Sequence, residues 1–212
     1  MNKKDIKAIN PQKLGWLEYK LNSQEMDYVW RCIENKKGDE KSKLVGHVSQ
    51  SYKLIDRGNW FYINTLKPLI MEYGNEWRNR GRNFPTNTQH PYYLSKWWVN
   101  YQKQTEFNPL HNHSGVYSFV IWMKIPFKWE EQNKKDIGRK SNESQISNFQ
   151  FVYPNILGEL EYHKYQLSSH HEGTMLFFPS QLNHEVYPFY DCDEDRISVS
   201  GNLGINTTTQ VL

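Results

Sequence analysis

The spacing of hydrophobic residues changes at about residue 90, and the two parts of the chain predict different structures. In the first part, "QEMDYVWRCIENKK" places Met26, Val29 and Ile33 on one face of a helix, and Ser23 can cap its start. A second helix is predicted in "LKPLIMEYGNEWRNR", although Pro68 limits its upstream extension. The charged stretch "KKGDEKSK" between them is typical of an exposed turn.

From Tyr92 onward, short β-rich segments follow one another, separated by turn-prone residues and without helical spacing. They are "YYLSKWWVNYQ", "GVYSFVIWMKIP", "SNFQFVYP", "GELEYHKYQL", "GTMLFFPS", "HEVYPFY" and "RISVSGNLG". This succession is typical of an all-β sandwich or barrel. The insert "KWEEQNKKDIGRKSNESQ" is polar and charged, so we expect a mobile loop there. We therefore predict a mainly β protein with a single domain over 1–212, in which a helical layer over 1–90 packs on a β core over 91–205.

Composition narrows the range of functions. Hydrophobic residues at 37% and aromatic residues at 15% can supply a core, which argues against a disordered chain. The 26 basic and 23 acidic residues give a net charge of only +3 with no long block of one sign, so nothing indicates nucleic-acid or membrane binding. No apolar run approaches the roughly 20 residues of a spanning helix. Cys32 and Cys192 are far apart and no apolar signal segment follows Met1, so we expect reduced thiols in a cytoplasmic protein.

Two histidines in "NPLHNHSGVYSFVIWMKIP" are the first candidates for chemistry. His111 and His113 are two residues apart, and in an extended segment both side chains point to the same side. Neutral imidazoles suit iron, zinc, copper or nickel. A pair of surface histidines without a metal is the alternative at this point.

The third candidate is His184, which opens a strand after the buried run that ends at Pro179. The other histidines stand alone or lie in the polar turn "SSHHEG", and we expect them on the surface or in the core: His47, His90, His163, His170 and His171.

Arg196 follows His184 by twelve residues and starts another apolar strand, with Ser198 two residues further on the same face. An unpaired arginine is costly to bury, and a carboxylate ligand held by its planar fork would offset that cost. An ion pair with the acidic run 193–195 would also do so, and both interpretations stay open from these residues alone.

Taken together, the HxH pair, the later histidine and the R-x-S pair resemble the pattern of the Fe(II)- and 2-oxoglutarate-dependent oxygenases. The resemblance covers about residues 92–203 and is closest to the prolyl-4-hydroxylase-like branch, in particular to small uncharacterised members from bacteriophages. It implies a double-stranded β-helix (jelly roll) core, Fe(II) as cofactor and 2-oxoglutarate as cosubstrate. It also implies a dioxygenase that hydroxylates an unknown small molecule or peptide, in the host cytoplasm if the protein is viral.

The resemblance assigns roles to individual residues. His111 matches the proximal and His184 the distal metal ligand. Arg196 matches the residue that anchors the far carboxylate of 2-oxoglutarate, and Ser198 its helper. Tyr101 resembles the tyrosine that touches the cosubstrate ahead of the proximal ligand. By strand alternation continued from the metal site, Tyr117 and Phe119 would line the cavity, and both are equally well explained as side chains that fill the barrel.

His113 departs from the family pattern, which has an aspartate or glutamate at this position. Three interpretations are open. His113 completes an all-histidine triad, or it turns away and leaves the position to water or a halide, or the site binds metal poorly and has lost its catalysis. We favour coordination, which would raise the net charge at the metal by one relative to a carboxylate ligand and weaken Fe(II) binding.

A cupin-like metal-binding or isomerase protein is the main alternative, because "GTMLFFPSQLNH" fits the start of the second cupin motif. However, "HNHSGVYSF" lacks the glutamate expected after a cupin HxH, and Gln181 stands where a glycine is expected. Arg196 and Ser198 have no role in that interpretation. A catalytically degenerate binding protein on the same fold is a further alternative.

Overall fold

The structure is a computed structural model that describes residues 14–77 and 90–208. Its strands are β1 Leu17–Lys20, β2 Gln50–Lys53, β3 Tyr92–Gln102, β4 Asn108–His111, β5 Tyr117–Lys124, β6 Phe149–Pro154, β7 Leu160–Tyr165, β8 Thr174–Pro179, β9 Asn183–Val186 and β10 Arg196–Ile205. Its α-helices are α1 Ser23–Glu34, α2 Lys67–Trp77, α3 Trp129–Asn133 and α4 Asp136–Arg139. Short 3₁₀ turns cover Lys41–Lys43, Arg57–Asn59 and Ser169–His171, and a π-helical segment covers Tyr62–Leu66.

The strands form two antiparallel sheets, so the predicted mainly β class is confirmed. One sheet has six strands in the order β1-β8-β5-β10-β3-β2, and the other has four in the order β4-β9-β6-β7. The seven segments predicted as strands all contain one, from β3 to β10 with the exception of β4. The edge strands β1 and β2 come from the first 90 residues, so that part of the chain also contributes to the six-stranded sheet.

Side chains of the six-stranded sheet alternate between a helix-covered face and a face turned toward the second sheet. In the inner strand β10, Ile197, Val199 and Leu203 belong to the apolar cluster that also contains residues of α1 and α2. Arg196 and Ser198 of the same strand line a cavity on the other face. A second apolar cluster, which includes Trp122 and Phe151, fills the space between the sheets.

Helix α1 is capped by Asn22 and not by Ser23, so the predicted cap is wrong by one residue. The Asn22 side chain accepts a hydrogen bond from the Glu25 amide at 3.0 Å, and the Glu25 carboxylate accepts one from the Asn22 amide at 2.9 Å. This reciprocal pair is a capping box, which satisfies amides that the first helical turn leaves free.

The second α-helix begins at Lys67, next to Pro68, as predicted, but the backbone upstream is helical as well. The π-helical segment Tyr62–Leu66 leads directly into α2, and the Lys67 amide donates to the Tyr62 carbonyl five residues earlier. The wider turn accommodates the proline, whose ring would clash with the carbonyl four residues back in a regular α-helix. Residues 78–80, at the end of the predicted helix, lie outside the described residues.

The insert expected to be a mobile loop contains α3 and α4, so that prediction is wrong. Gln132 in α3 is buried, and its carboxamide bonds the backbone of Tyr190 twice: Nε2 donates to the carbonyl and Oε1 accepts from the amide, each at 2.9 Å. The two hydrogen bonds between the Gln132 carboxamide and the Tyr190 backbone attach this helical segment to the β domain. The 3₁₀ turn Lys41–Lys43 occupies the predicted exposed turn.

Two smaller findings concern the cysteines and the helices. Cys32 and Cys192 are free thiols. Within the described parts of the chain, no helix combines the length and apolar character needed to cross a membrane.

A buried carboxylate joins α1 to the helix that follows, and it generates the first testable prediction. Glu25 is 4% exposed and also accepts hydrogen bonds from the Tyr19 and Thr65 hydroxyls at 2.8 and 2.7 Å. Glu25→Ala should lower the free energy of unfolding by about 2–4 kcal/mol in urea denaturation, because both hydroxyls lose their acceptor. Glu34→Ala, at the exposed end of α1, is the control and should change it by less than about 0.5 kcal/mol. Equal losses for the two variants would contradict the role of Glu25.

Candidate metal centre

Three histidines from two parts of the chain meet at the β4 edge of the four-stranded sheet. His111 in β4 lies directly opposite His184 in β9 in the strand register. His113 follows β4, and its amide donates to the Ser180 carbonyl at 2.8 Å. One ring nitrogen from each histidine lies within 4.8 Å of the other two. The three predicted ligand positions therefore converge, including His113.

Backbone carbonyls orient two of the rings. His111 Nδ1 is 2.6 Å from the Pro109 carbonyl, and His184 Nδ1 is 2.9 Å from the Leu182 carbonyl. A carbonyl can only accept, so Nδ1 carries the proton in both rings. The lone pair of Nε2 is then free for a metal, as in many histidine ligands whose second nitrogen donates to the backbone.

Burial keeps the three rings neutral. It lowers the pKa of His184 well below its ordinary value, and the neighbouring histidines His111 and His113 lower it further. Burial is also the main cause that lowers the pKa of His113 to about 4, with smaller effects of His111 and Lys96. The pKa of His111 is lowered by burial as well. Because a metal binds the neutral imidazole, the donor set fits a divalent iron ion at neutral pH.

A polar network supports the turn that carries His113. Gly115 has φ of +110°, and a Cβ at this position would lie 2.6 Å from the Leu203 carbonyl, so only glycine fits. Below the turn, the Ser118 hydroxyl is 2.9 Å from that of Ser180 and donates to the Asn202 side chain at 2.9 Å. These bonds tie the turn to β5, β8 and β10.

The histidines line a cavity between the two sheets, together with Arg196 and Ser198. Segment 44–48 closes one side of it, with the His47 amide bonded to the Phe107 carbonyl at 2.8 Å. No aspartate or glutamate belongs to the lining formed by the described residues. The cavity thus brings together a potential metal site and a cation without an acidic group.

Arg196 is 2% exposed and is held by neutral groups alone. Its Nε and Nη2 donate to Gln102 Oε1 at 3.3 and 2.7 Å, Nη1 donates to the Ser147 carbonyl at 3.0 Å, and Nη2 donates to the Tyr187 carbonyl at 3.0 Å. The guanidinium carbon also lies over the rings of Phe127 and Phe189, at 5.7 and 5.5 Å from their centroids.

Among the described residues, Arg196 forms no ion pair, which removes the alternative of pairing with the acidic run 193–195. Asp193 accepts a hydrogen bond from Gln104, and Glu194 pairs with Lys124. Burial lowers the pKa of Arg196 to about 9, so the guanidinium keeps its charge at neutral pH. A buried positive charge without an anion is costly, and the cavity beside it is where an anion can bind.

Tyr101 does not face the cavity, so its assignment to the cosubstrate is corrected. It lies on the helix-covered face of β3, where its ring contacts Tyr52 and the Lys36 ammonium group. Asn100 and Gln102, on either side of it, line the cavity instead. Side chains alternate along a strand, so Asn100 and Gln102 face the cavity because Trp98 does, and Tyr101 faces the opposite side.

The expectation for Tyr117 is also wrong. The Phe119 ring packs on the same helix-covered face, 6.1 Å from the ring of Phe61 between centroids, although Phe119 is among the residues that line the cavity. The ring of Tyr117 packs between Tyr73 and Phe177 under the helices, with centroid distances of 5.1 and 5.0 Å. Alternation cannot be continued from His113 into β5, because the turn at Gly115 interrupts the extended backbone.

Sequence reasoning missed several cavity residues. Asn100, Gln102 and Ser200 belong to strands that were predicted, and alternation counted from Arg196 would have identified Ser200. Segment 44–48 has no pattern that indicates its position.

The fold and the site together define a jelly-roll protein with a candidate non-haem metal centre. A family model described as "Putative 2OG-Fe(II) oxygenase" matches residues 96–202, slightly more than half of the chain. The chain therefore belongs to this family of 2-oxoglutarate- and Fe(II)-dependent oxygenases. Membership implies Fe(II) and 2-oxoglutarate, as predicted, and the histidine triad could bind the iron. No curated protein matched the chain.

Solved structures with low sequence identity share the fold. A Pseudomonas putida prolyl-4-hydroxylase is 13% identical, with a TM-score of 0.53 over 88% of this chain and 91% of that one. A 2OG-Fe(II) family oxidoreductase from Burkholderia pseudomallei is 12% identical, with a TM-score of 0.50 over 86% and 79% of the two chains. OsALKBH1 is 12% identical, with a TM-score of 0.50 over 91% and 100%. The predicted jelly roll is thus confirmed, whereas the similarity to bacteriophage proteins stays a prediction.

The first prediction from this site concerns the two ligands whose rings are oriented by the backbone. His111→Ala and His184→Ala should each weaken Fe(II) binding by roughly a hundredfold or more. Mutation of a residue that only hydrogen-bonds a metal ligand already lowers metal affinity by about 10–100-fold. Anaerobic Fe(II) titration measures this. His170→Ala, in an exposed turn, is the control and should bind as the unaltered protein does. Full iron occupancy in His184→Ala would refute the assignment.

The second prediction concerns His113. If it coordinates, His113→Ala should lose iron affinity, while His113→Asp should keep or improve it because a carboxylate offsets one positive charge at the metal. The same titration separates the interpretations. An unchanged affinity in His113→Ala would mean that His113 is not a ligand.

Proposed function

We propose that this oxygenase is a dioxygenase that hydroxylates its substrate, with Fe(II) held by His111, His113 and His184. Bound Fe(II), with 2-oxoglutarate and O₂, supplies the oxidising power for hydroxylation of a C–H bond, while 2-oxoglutarate is converted to succinate and CO₂. The observation that carries the proposal is the buried charge of Arg196 in the same cavity as the three histidines, where no carboxylate from the described residues faces it.

In this proposal, Arg196 and Ser198 bind the distal carboxylate of 2-oxoglutarate. Four of the five guanidinium N–H groups already have acceptors, so one N–H on Nη1 is left for a carboxylate. The two-pronged contact suggested by the sequence is therefore replaced by one N–H together with the Ser198 hydroxyl. The positive charge attracts the carboxylate in either geometry.

The remaining lining residues would exclude water and shape the substrate site. Trp98 lies beside His113, with ring centroids 5.9 Å apart, and segment 44–48 covers the cavity from outside. Exclusion of water would strengthen the electrostatic interactions within the cavity. The substrate would be a small molecule or a peptide.

The cupin-like alternative is less well supported, because it gives no role to a buried guanidinium beside the metal site. Anaerobic addition of Fe(II) and then 2-oxoglutarate should produce a weak visible charge-transfer band under the proposed function. Admission of O₂ should then release succinate. A protein that binds Fe(II) but gives neither signal would be a binding or isomerase protein, or a degenerate oxygenase.

The charge of Arg196 can be tested separately. Arg196→Met should weaken 2-oxoglutarate binding by roughly ten- to hundredfold, the range expected for loss of one charge-assisted contact. Arg196→Lys should recover only part, since an ammonium group cannot make the same set of directed bonds. Titration of the anaerobic Fe(II) protein measures both, and an unchanged Fe(II) affinity is the control for folding. Equal 2-oxoglutarate dissociation constants for Arg196→Met and the unaltered protein would contradict this role.

A further inference from the structure

Gln102 is the cavity residue with the closest connection to Arg196. It lies in β3 directly opposite Arg196 in β10 and is 4% exposed. Its single Oε1 atom accepts from both Nε and Nη2 of the guanidinium, which is half of the four hydrogen bonds that Arg196 makes. Gln102 therefore determines the orientation of the arginine more than any other single side chain does.

The carboxamide of Gln102 is itself held in one orientation. Its Nε2 donates to the Glu106 carbonyl, so the oxygen must face the guanidinium. The opposite orientation would bring the NH₂ group against the N–H groups of Arg196 and would leave it without an acceptor. The Gln102 side chain is therefore an uncharged hydrogen-bond acceptor that is held in one orientation.

Zero charge matters because a carboxylate would fit the same space. Glutamate has the size and shape of glutamine and would place an anionic oxygen against Nε and Nη2 of Arg196. Its negative charge would offset the positive charge of the guanidinium in the cavity. The Ser147 and Tyr187 carbonyls are neutral as well, so no other acceptor compensates the charge.

We propose that Gln102 is a positioning residue that holds Arg196 by a neutral acceptor and so leaves its charge for the distal carboxylate of 2-oxoglutarate. This inference rests on the proposed function, because it concerns the same ligand. It explains why a buried arginine is surrounded by an amide, two carbonyls and two aromatic rings. It also assigns a role to a residue that makes no contact with the metal ligands.

Gln102→Glu is the sharpest test. In anaerobic Fe(II) protein, its 2-oxoglutarate affinity should fall by roughly tenfold or more, because the new carboxylate neutralises Arg196 and repels the ligand. Fe(II) affinity should not fall. Gln50→Glu is the matched control: it adds the same charge in the adjacent strand β2, outside the cavity lining, and should bind 2-oxoglutarate as the unaltered protein does.

A second ligand separates a specific effect from general damage to the site. 2-Oxopentanoate has the same five-carbon chain and keto acid group but no distal carboxylate. Its binding should be equal in Gln102→Glu and the unaltered protein. A similar loss for both keto acids would overturn the proposal, since it would indicate a disturbed metal site.

Gln102→Met tests the holding function without added charge. It removes the acceptor but leaves the guanidinium charged, so 2-oxoglutarate affinity should fall less than in Gln102→Glu, and again without an effect on 2-oxopentanoate. Unaltered 2-oxoglutarate affinity in Gln102→Glu would overturn the role of Gln102 while the proposed function stands. If the unaltered protein binds Fe(II) but not 2-oxoglutarate, the proposed function itself fails, and the inference with it.

Discussion

The alternation of side chains along strand β10, between the two faces of its sheet, is the constraint on which both the hydrophobic core and the candidate metal and anion site depend. β10 lies between β3 and β5, with both neighbours paired to it. One set of its side chains, including Val199 and Leu203, fills the core under the helices, while Arg196 and Ser198 face the cavity. A register slip of one residue would place the arginine in the helical core and valine in the cavity. The large apolar cluster under α1 and α2 thereby also sets the direction of the functional groups.

The two kinds of functional group lie on different sheets. The histidines belong to β4, β9 and the turn after β4, in or next to the four-stranded sheet, whereas Arg196, Ser198 and Gln102 belong to β10 and β3 of the six-stranded sheet. A ligand that reaches from the metal site to Arg196 therefore spans the space between the sheets. The distance between these two groups is set by the packing of the sheets rather than by any one loop, which favours a rigid site.

The sequence predicts the long strands well because their pattern is set by burial. β3, β5, β8 and β10 are rich in β-branched and aromatic residues, and β3 runs from Tyr92 to Gln102 as predicted. The strands β1, β2 and β4 have four residues each, too few to show alternation, and they depend on partners distant in sequence. β9 is equally short but was predicted within the longer β-rich segment 184–190. The histidine triad and Arg196 could be identified from their order in the chain. The face of the sheet on which Tyr101 and Tyr117 lie could not be predicted, because alternation can be followed only within one unbroken strand.

The described lining of the cavity contains a positive charge and no negative one, so only a bound ligand can neutralise it. The family pattern has a carboxylate where this chain has His113, so three neutral rings would surround the metal dication. The only cation in the described lining is Arg196, and Gln102 and two carbonyls hold it without neutralising it. A dicarboxylate that contacted both ends would offset positive charge at each, and binding at one end would hold the second carboxylate close to its partner at the other. A carboxylate at position 102 would weaken the contact at the arginine end. The neutrality of the groups around Arg196 is therefore as much a part of the binding site as the arginine itself.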